Sequence, residues 1–188
     1  MTHSGVKPGA RVLAVACGPL DKRRTILVGI VGRSNTTIEG VLSSKVTVDG
    51  TDATSSMITM LLRSRFKDQV RVVALNGIAV AGLNVVDVDK LEAGLGVKVL
   101  IMAKSRPRTP KLALALKAFS KKSGADVSGR LAILKNAHGN TVFNDGMYVQ
   151  SRCVAGEIAA VLGSSRELLR IAHIIASGLS SGESSGRM

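Results

Sequence analysis

Residues 70–104 read VRVVALNGIAVAGLNVVDVDKLEAGLGVKVLIMAK and decide the fold. The runs 70–77 and 97–104 are short, β-branched and apolar at nearly every position, as expected of strands buried on both faces of a parallel sheet. Between them, VVDVDKLEAGLG predicts a short helix that ends at glycine. A strand, helix, strand crossover of this kind places the chain in the α/β class.

Short β-rich runs separated by turn residues dominate the first third of the chain and predict an antiparallel meander. They span 11–17, 25–31 and about 38–48. Apolar residues then recur with helical spacing, at Met57, Ile58, Leu61 and Leu62. This stripe predicts a helix over about 53–66.

Beyond the crossover, Pro110 after Thr109 marks the start of a further helix. Residues 123–150 are rich in Gly, Asn and Asp and predict an irregular, hairpin-like connection. Two helices are expected to close the chain, at about 154–162 and 166–177. The length of 188 residues fits one domain, with residues 1–10 and 180–188 as flexible tails.

The composition favours a polyanionic partner inside the cell. There are 26 Lys and Arg against 13 Asp and Glu, a formal charge of +13, and such a surface attracts nucleic acid or any other polyanion. The two cysteines are too few for a disulfide framework or a zinc cluster, which indicates a reduced, cytoplasmic setting. A signal peptide and a membrane-spanning run are not apparent. The scarcity of aromatic residues argues against a protein that coats single strands.

The best candidates for phosphate contacts follow the second strand of the crossover. Between Ala93 and Ala125 the chain has no acidic residue and eight basic ones. Three of these, Lys104, Arg106 and Arg108, emerge where α/β sheets bind ligands. The alternative is a solvated helix face, and it stays open.

Candidate metal ligands and polar site residues lie at three other places. Asp49 and Asp52 stand where a strand passes into the first helix and could face a metal, although Asp-Gly is also a turn signal. Asp52 could equally cap the amides of residues 54 and 55. Asn76 could ligate a metal or read a base edge, or simply form an Asn-Gly turn.

The last helix carries a polar stripe that could face a ligand. Arg166, Arg170, His173 and Ser177 fall within a narrow sector of it. His173 could act as a general base or donate to phosphate, or it could be an ordinary exposed histidine. The motifs of hydrolase triads, P-loop enzymes and dinucleotide-binding enzymes are missing.

Several stretches together resemble the archaeal domain of unknown function 99 family, an endonuclease V-like group that includes deoxyuridine endonucleases. They are SSKVTVDGTDAT, RSRFKDQVRVVALNGIAVAGLNVVDV, LIMAKSRPR, MYVQS and ELLRIAHIIASGLSSGESSGR. The resemblance implies a ribonuclease H-like fold, a mixed sheet with helices on both faces. It also implies a nucleic-acid ligand, DNA more than RNA, with a deaminated base that is cut with Mg²⁺ or Mn²⁺.

The same resemblance assigns roles to individual residues. Asp49 and Asp52 lie near the position at which the family has a carboxylate of its metal site. Asn76 stands where endonuclease V has an Asp followed by Gly, and Lys104 matches its Val-Ala-Lys lysine. Arg170, His173, Glu183 and Ser184 fall in the C-terminal motif of the family. Catalysis would thus involve Asp49, Asn76, Lys104 and His173, and Arg170 would join the basic residues that bind nucleic acid.

The first strand departs from the family pattern. Members usually read Gly-Ile-Asp-Asp-Gly-Pro-Phe where this chain has Ala14 to Leu20, so both acids are replaced, by Ala16 and Cys17. A methyl and a thiol do not supply the carboxylate oxygen that Mg²⁺ seeks. Asp21 could substitute if its loop folds back. Two functions therefore remain open, a metal-dependent endonuclease and a catalytically inactive nucleic-acid-binding homologue. A functional thiol at Cys17 is a third, minor alternative.

Overall fold

A computed structural model of the chain describes residues 5–20, 23–33, 37–107, 109–136 and 139–184. Its strands are β1 (Arg11–Cys17), β2 (Arg24–Gly32), β3 (Ile38–Thr47), β4 (Val70–Asn76), β5 (Ala79–Val80), β6 (Asn84–Val85), β7 (Lys98–Ala103), β8 (Asn140–Asn144) and β9 (Met147–Ser151). Its helices are α1 (Ala53–Leu62), α2 (Val88–Leu95), α3 (Thr109–Ser123), α4 (Ser128–Asn136) and α5 (Ala155–Ser181).

Seven strands form one mixed sheet in the order β3-β2-β1-β4-β7-β9-β8. β1, β4 and β7 are parallel, while β2 runs antiparallel between β1 and β3. β3 therefore runs in the same direction as β1. The carboxyl ends of β1, β3, β4 and β7 lie along one edge of the sheet, which we call the carboxyl edge. The short pair β5 and β6 forms a separate hairpin.

Helices cover both faces of the sheet. On one face α1 and α2 bury Met57, Leu61 and Leu91 against the odd-numbered side chains of β1 and β4. On the opposite face α5 buries Leu168 and Ala172 against the even-numbered ones. Burial on both faces explains why the sequence of β4 is apolar throughout. The predicted α/β class, the meander of β1 to β3 and the crossover from β4 through α2 to β7 are confirmed.

Three predicted element boundaries differ from those of the structure. α1 ends at Leu62 instead of 66, because the Ser64 hydroxyl donates to Leu61 O and accepts from Phe66 N, which turns the chain. The connection 123–150 contains the expected hairpin, formed by β8 and β9. It also contains a helix, α4, whose buried side chains include a charged one, Arg130, so its pattern is not apolar.

The two closing helices are a single helix, α5. Gly163, Ser164 and Ser165 are weak helix formers, which suggested a break. The Ser164 hydroxyl instead donates to Val161 O within the helix, and packing on the sheet overrides the local propensity. Within the predicted amino-terminal tail, 1–10, Val6 is buried and its amide donates to Glu157 Oε1 at 2.7 Å. Over the described part of the chain, none of the helices has the length and apolar character needed to cross a membrane.

Candidate nucleic-acid interface

A groove of about 780 Å³ opens at the carboxyl edge between β4, β7 and α5. We call it the α5 groove. Its polar lining comes from the ends of the two strands, from the turn between β8 and β9, and from one face of α5. These side chains are Asn76, Lys104, Ser105, Asp145, Arg166, Glu167 and Arg170. The groove thus brings together Asn76, Lys104 and Arg170, three of the residues predicted from the sequence.

The fold explains how these side chains meet. Asn76 ends β4 and pairs with Met102 of β7, two residues before Lys104. Arg166 and Arg170 are four residues apart and therefore project from the same side of α5. Asp145 reaches the groove from the turn after β8, where its φ of 46° lies in the left-handed region that Asp tolerates.

The two arginines of the groove have carboxylate partners. Arg170 binds Glu167 at 2.5 Å, and Arg166 lies 3.7 Å from Asp145. Hydrogen bonding to Arg170 lowers the pKa of Glu167, and the same contact raises the pKa of Arg170. All four side chains are more than a third exposed, and exposed ion pairs contribute little to stability because water screens them. An incoming phosphate can therefore replace these carboxylates at little cost.

A second groove, of about 520 Å³, lies beside the first and is called the α3 groove. Gly77, Ala103 and Ser105 line both grooves. Arg106 and Lys111 supply the cations of the α3 groove. Two of the three predicted phosphate contacts, Lys104 and Arg106, therefore lie in neighbouring grooves, and Arg108 lies outside the described residues.

Asp52 is held in a local network and does not line the α5 groove. Its carboxylate accepts hydrogen bonds from Thr47 N at 3.1 Å, from the Thr47 hydroxyl at 2.8 Å and from Asn84 Nδ2 at 2.8 Å. Burial raises the pKa of Asp52, but these hydrogen bonds outweigh it, and the net pKa lies below the usual value. The predicted cap on residues 54 and 55 is wrong, because the Asp52 side chain makes no capping hydrogen bond.

Asn84 caps α1 instead, from the hairpin of β5 and β6. Its side chain is fully buried, with Oδ1 accepting from Ala53 N at 3.1 Å and Nδ2 donating to Thr47 O at 3.0 Å. We did not predict this role, although a lone Asn inside the apolar run VAGLNVV is a signal of a buried hydrogen-bonded amide.

Asp49 is also engaged with the β5–β6 hairpin. Its Oδ1 accepts from Leu83 N at 2.8 Å, and its amide donates to Ala81 O at 2.9 Å. Gly82 has a φ of +82°, and a Cβ there would collide with the Asp49 carboxylate. The buried Arg130 donates to Asp49 O at 2.7 Å and to Leu83 O at 3.2 Å. Arg130 was not predicted from the sequence, since an isolated arginine in a short polar helix gives no signal of burial.

Cys17 contacts the same hairpin, with its sulfur accepting from Ala81 N at 3.3 Å. Burial raises the pKa of this thiol, and the hydrogen bond from Ala81 offsets the effect only in part. The neutral thiol is therefore the main form at pH 7, whereas nucleophiles and soft-metal ligands require the thiolate. Ala16 faces α5, on the same side of the sheet as Met102.

The donor set at the carboxyl edge does not fit a pair of hard divalent cations. The two first-strand positions offer a methyl and a thiol, Asn76 is neutral, and the carboxylates of Asp49 and Asp52 already accept hydrogen bonds. Within the described ranges, no group of three or more His, Cys, Asp and Glu side chains is arranged to hold a metal ion. Asp21, the possible substitute, lies outside those ranges.

The remaining predicted residues lie on or after α5. His173 is half-buried and follows Arg170 by three residues, on the stripe predicted from the sequence, but it is not part of the lining of either groove. Ser177 continues the stripe. Glu183 and Ser184 follow the end of α5, where Gly182 adopts a left-handed conformation.

The fold defines the class of protein. A protein of unknown function from Archaeoglobus fulgidus superposes with a TM-score of 0.80 at 25% identity, covering 90% of this chain and 98% of that one. Human endonuclease V superposes with a TM-score of 0.54 at 13% identity, covering 89% and 83%. The architecture is thus the ribonuclease H-like fold of endonuclease V, as the resemblance implied.

The chain itself belongs to the endonuclease dU family, whose model matches residues 8–180. A UPF0215 protein from Methanosarcina mazei is 36% identical over 97% of this chain and 96% of its own length. The UPF0215 protein of Thermococcus gammatolerans is 37% identical over 95% and 96%. The family predicted from the sequence stretches is confirmed.

Proposed function

We propose that this chain is a nucleic-acid-binding protein of the endonuclease V-like class, with DNA as the preferred ligand, and that the α5 groove holds its phosphate backbone. The observation that carries the proposal is the joint placement of Lys104, Arg166 and Arg170 along one groove at the carboxyl edge. The formal charge of +13 draws a polyanion to the surface. We expect the polyanion to bind in the α5 groove, where these three cations lie together.

The geometry of the groove suits phosphate better than an uncharged ligand. The lining combines three cations with two carboxylates, Asp145 and Glu167, and the carboxylates occupy positions next to the arginines. Phosphate oxygens can take those positions, since guanidinium groups bind carboxylate and phosphate with the same planar donors. The adjoining α3 groove adds two more cations, Arg106 and Lys111.

Binding without cleavage is the function that the donor set supports best. Family membership suggests a divalent metal cofactor, and metal-assisted hydrolysis of a phosphodiester needs carboxylates to hold the ion. Here Asp52 is saturated by hydrogen bonds, Asp49 is tied to the hairpin, and positions 16 and 17 have lost their acids. We therefore propose that the protein recognises DNA in a reduced cytoplasmic setting, consistent with its free cysteines.

The second candidate is an endonuclease that acts on DNA with a deaminated base, with Mg²⁺ or Mn²⁺ as cofactor. Membership of the endonuclease dU family favours it. In that case Asp49 and Asp52 would have to exchange their present hydrogen bonds for metal contacts. Asn76, Lys104 and His173 would then complete the site.

One pair of assays tests both candidates. Fluorescence anisotropy with labelled DNA measures binding over a range of salt concentrations, for the wild type, Lys104→Gln and Lys67→Gln. Lys67 is an exposed lysine that precedes β4 at the opposite edge of the sheet and serves as the matched control. We expect Lys104→Gln to weaken binding and to reduce the salt slope by about 1, while Lys67→Gln leaves both unchanged. Equal effects of the two substitutions would contradict the groove.

Cleavage is measured on the same DNA, with and without deoxyuridine or deoxyinosine, in Mg²⁺ or Mn²⁺. Binding without nicking supports the inactive homologue. Metal-dependent nicking that is lost in Asp49→Ala, with the variant still folded, would instead establish the endonuclease.

A further inference from the structure

The only described aromatic side chains that pack against one another are Phe143 and Tyr148, on the hairpin of β8 and β9. Their ring centroids are 4.8 Å apart, with an interplanar angle of 53°. Phe143 is 63% exposed, although it is a large apolar residue. The other two phenylalanines of the chain are packed, Phe66 in the main core and Phe119 in the cluster under α3. Phe143 is therefore the phenylalanine that stays exposed, and its ring packs on the half-buried Tyr148.

Strand register places this pair next to the α3 groove. Tyr148 pairs with Ala103 across β7 and β9, and Gln150 pairs with Ile101. Ala103, Ile101 and Gln150 all line the α3 groove. Because side chains alternate along a strand, Tyr148 and Gln150 project from the same face of the sheet. Phe143 pairs with Tyr148 and shares that face.

The opposite face of the same hairpin already provides its packing. Val149 is buried against α5, and its partner Val142 packs on the same cluster. An aromatic cross-strand pair adds some hairpin stability. That contribution does not require an exposed phenylalanine ring on the sheet face that borders the α3 groove. A ligand that is both aromatic and anionic would use the rings together with the cations of that groove, Arg106 and Lys111.

We propose that Phe143 and Tyr148 form a stacking platform for an unpaired base of a DNA strand whose phosphates lie along Arg106 and Lys111. The inference rests on the proposed binding of nucleic acid and adds its substrate class, a strand with at least one base out of the duplex. Nucleobases stack on aromatic rings with little sequence preference. One pair of rings serves one or two bases, which agrees with the scarcity of aromatic residues that argues against a coating protein.

The chain offers an intrinsic probe for this platform. It contains one tyrosine and no tryptophan, so its intrinsic fluorescence reports on Tyr148 alone. Stacking of a base on Tyr148 or against its partner ring is expected to quench that fluorescence. The measurement needs no substitution, and it compares a single-stranded oligonucleotide with an abasic strand of the same length. We expect quenching by the first and little quenching by the second.

Affinities of the variants complete the test. We expect Phe143→Ala to weaken binding of the base-bearing single strand about tenfold, which corresponds to about 1.4 kcal/mol. The same substitution leaves the affinity for the abasic strand unchanged, because the phosphate contacts remain. Phe143→Leu retains an apolar side chain on the hairpin and controls for the fold, and it is expected to lose affinity for the base-bearing strand in the same direction.

The possible results separate this inference from the proposed function. If both strands bind equally in wild type and variants and Tyr148 is not quenched, the platform is wrong while nucleic-acid binding stands. If Phe143→Ala weakens both strands to the same extent, the pair only maintains the hairpin, and the inference is again wrong. If neither strand binds to the wild type, the proposed function fails and the platform fails with it.

Discussion

The two halves of the carboxyl edge use their polar residues in opposite ways. Beside β1 and β3, the side chains of Asp49, Asp52 and Asn84 are bound to the hairpin of β5 and β6 and to the start of α1. Beside β4 and β7, Arg166 and Arg170 face an open groove and hold only exposed carboxylates. At this edge, the carboxylates and the amide of the first half accept or donate internal hydrogen bonds, whereas the two arginines of the second half are exposed in a groove.

The sharpest test of this difference exchanges an amide for a carboxylate in each half. Asn84→Asp removes two donors and places a second carboxylate next to Asp52, so we expect a loss of about 3 kcal/mol in the free energy of unfolding at pH 7. Asn76→Asp makes the same chemical change at an exposed strand end and is expected to cost less than about 0.5 kcal/mol. Urea denaturation monitored by circular dichroism measures both. Similar losses in the two variants would show that the halves do not differ.

A smaller loss is expected when Asp52 itself is neutralised. Asp52→Asn removes the charge that accepts from Thr47 and Asn84, and we expect it to cost about 2 kcal/mol at neutral pH. The folded-state pKa of Asp52 lies below its usual value. The stabilisation by the ionised form is therefore complete above the unfolded-state pKa of about 3.9 and is lost as the pH falls through the lower folded-state pKa.

Denaturation curves of the wild type and Asp52→Asn across this pH range check the sign. The difference in the free energy of unfolding between the wild type and Asp52→Asn should shrink toward acidic pH. Asp68→Asn, at an exposed acid before β4, controls for the loss of one negative charge. A gap that widens on acidification would mean that Asp52 is not held as a carboxylate.

The sequence predicted the sheet and its edge better than it predicted the use of individual residues. The runs of β4 and β7 are apolar at nearly every position because both faces are covered, so burial is directly visible in their composition. Lys104 directly follows β7 in the sequence, so its position at the carboxyl edge could be inferred. Asp49 and Asp52 could not be assigned in the same way. Their partners, Leu83 and Asn84, are more than 30 residues away in the chain, and an Asp at a strand end looks the same whether it binds a metal or an amide.

In the half beside β4 and β7, which faces solvent, substitutions should change the affinity for DNA more than the free energy of unfolding. Glu167→Gln removes the carboxylate that competes with phosphate for Arg170, and we expect it to strengthen DNA binding several-fold, since the exposed ion pair that is lost contributes little to stability. Asp68→Asn changes the net charge by the same amount at the opposite edge of the sheet. Anisotropy titrations at one salt concentration compare them. An equal gain in both variants would mean that net charge, and not the groove, determines affinity.

The smallest change in DNA affinity is expected on substitution of Cys17, which lies where the two halves of the carboxyl edge meet. Its sulfur accepts from Ala81 N, and burial raises the pKa of the thiol, so it is neutral and poorly nucleophilic at pH 7. Cys17→Ser keeps an acceptor for Ala81 and is expected to bind DNA with unchanged affinity, in the same anisotropy titration. Alkylation of the wild type under native conditions should be slow and should likewise leave binding intact. Rapid alkylation that abolishes binding would place a reactive thiol within the site, and the closed half of the edge would then have to take part in function.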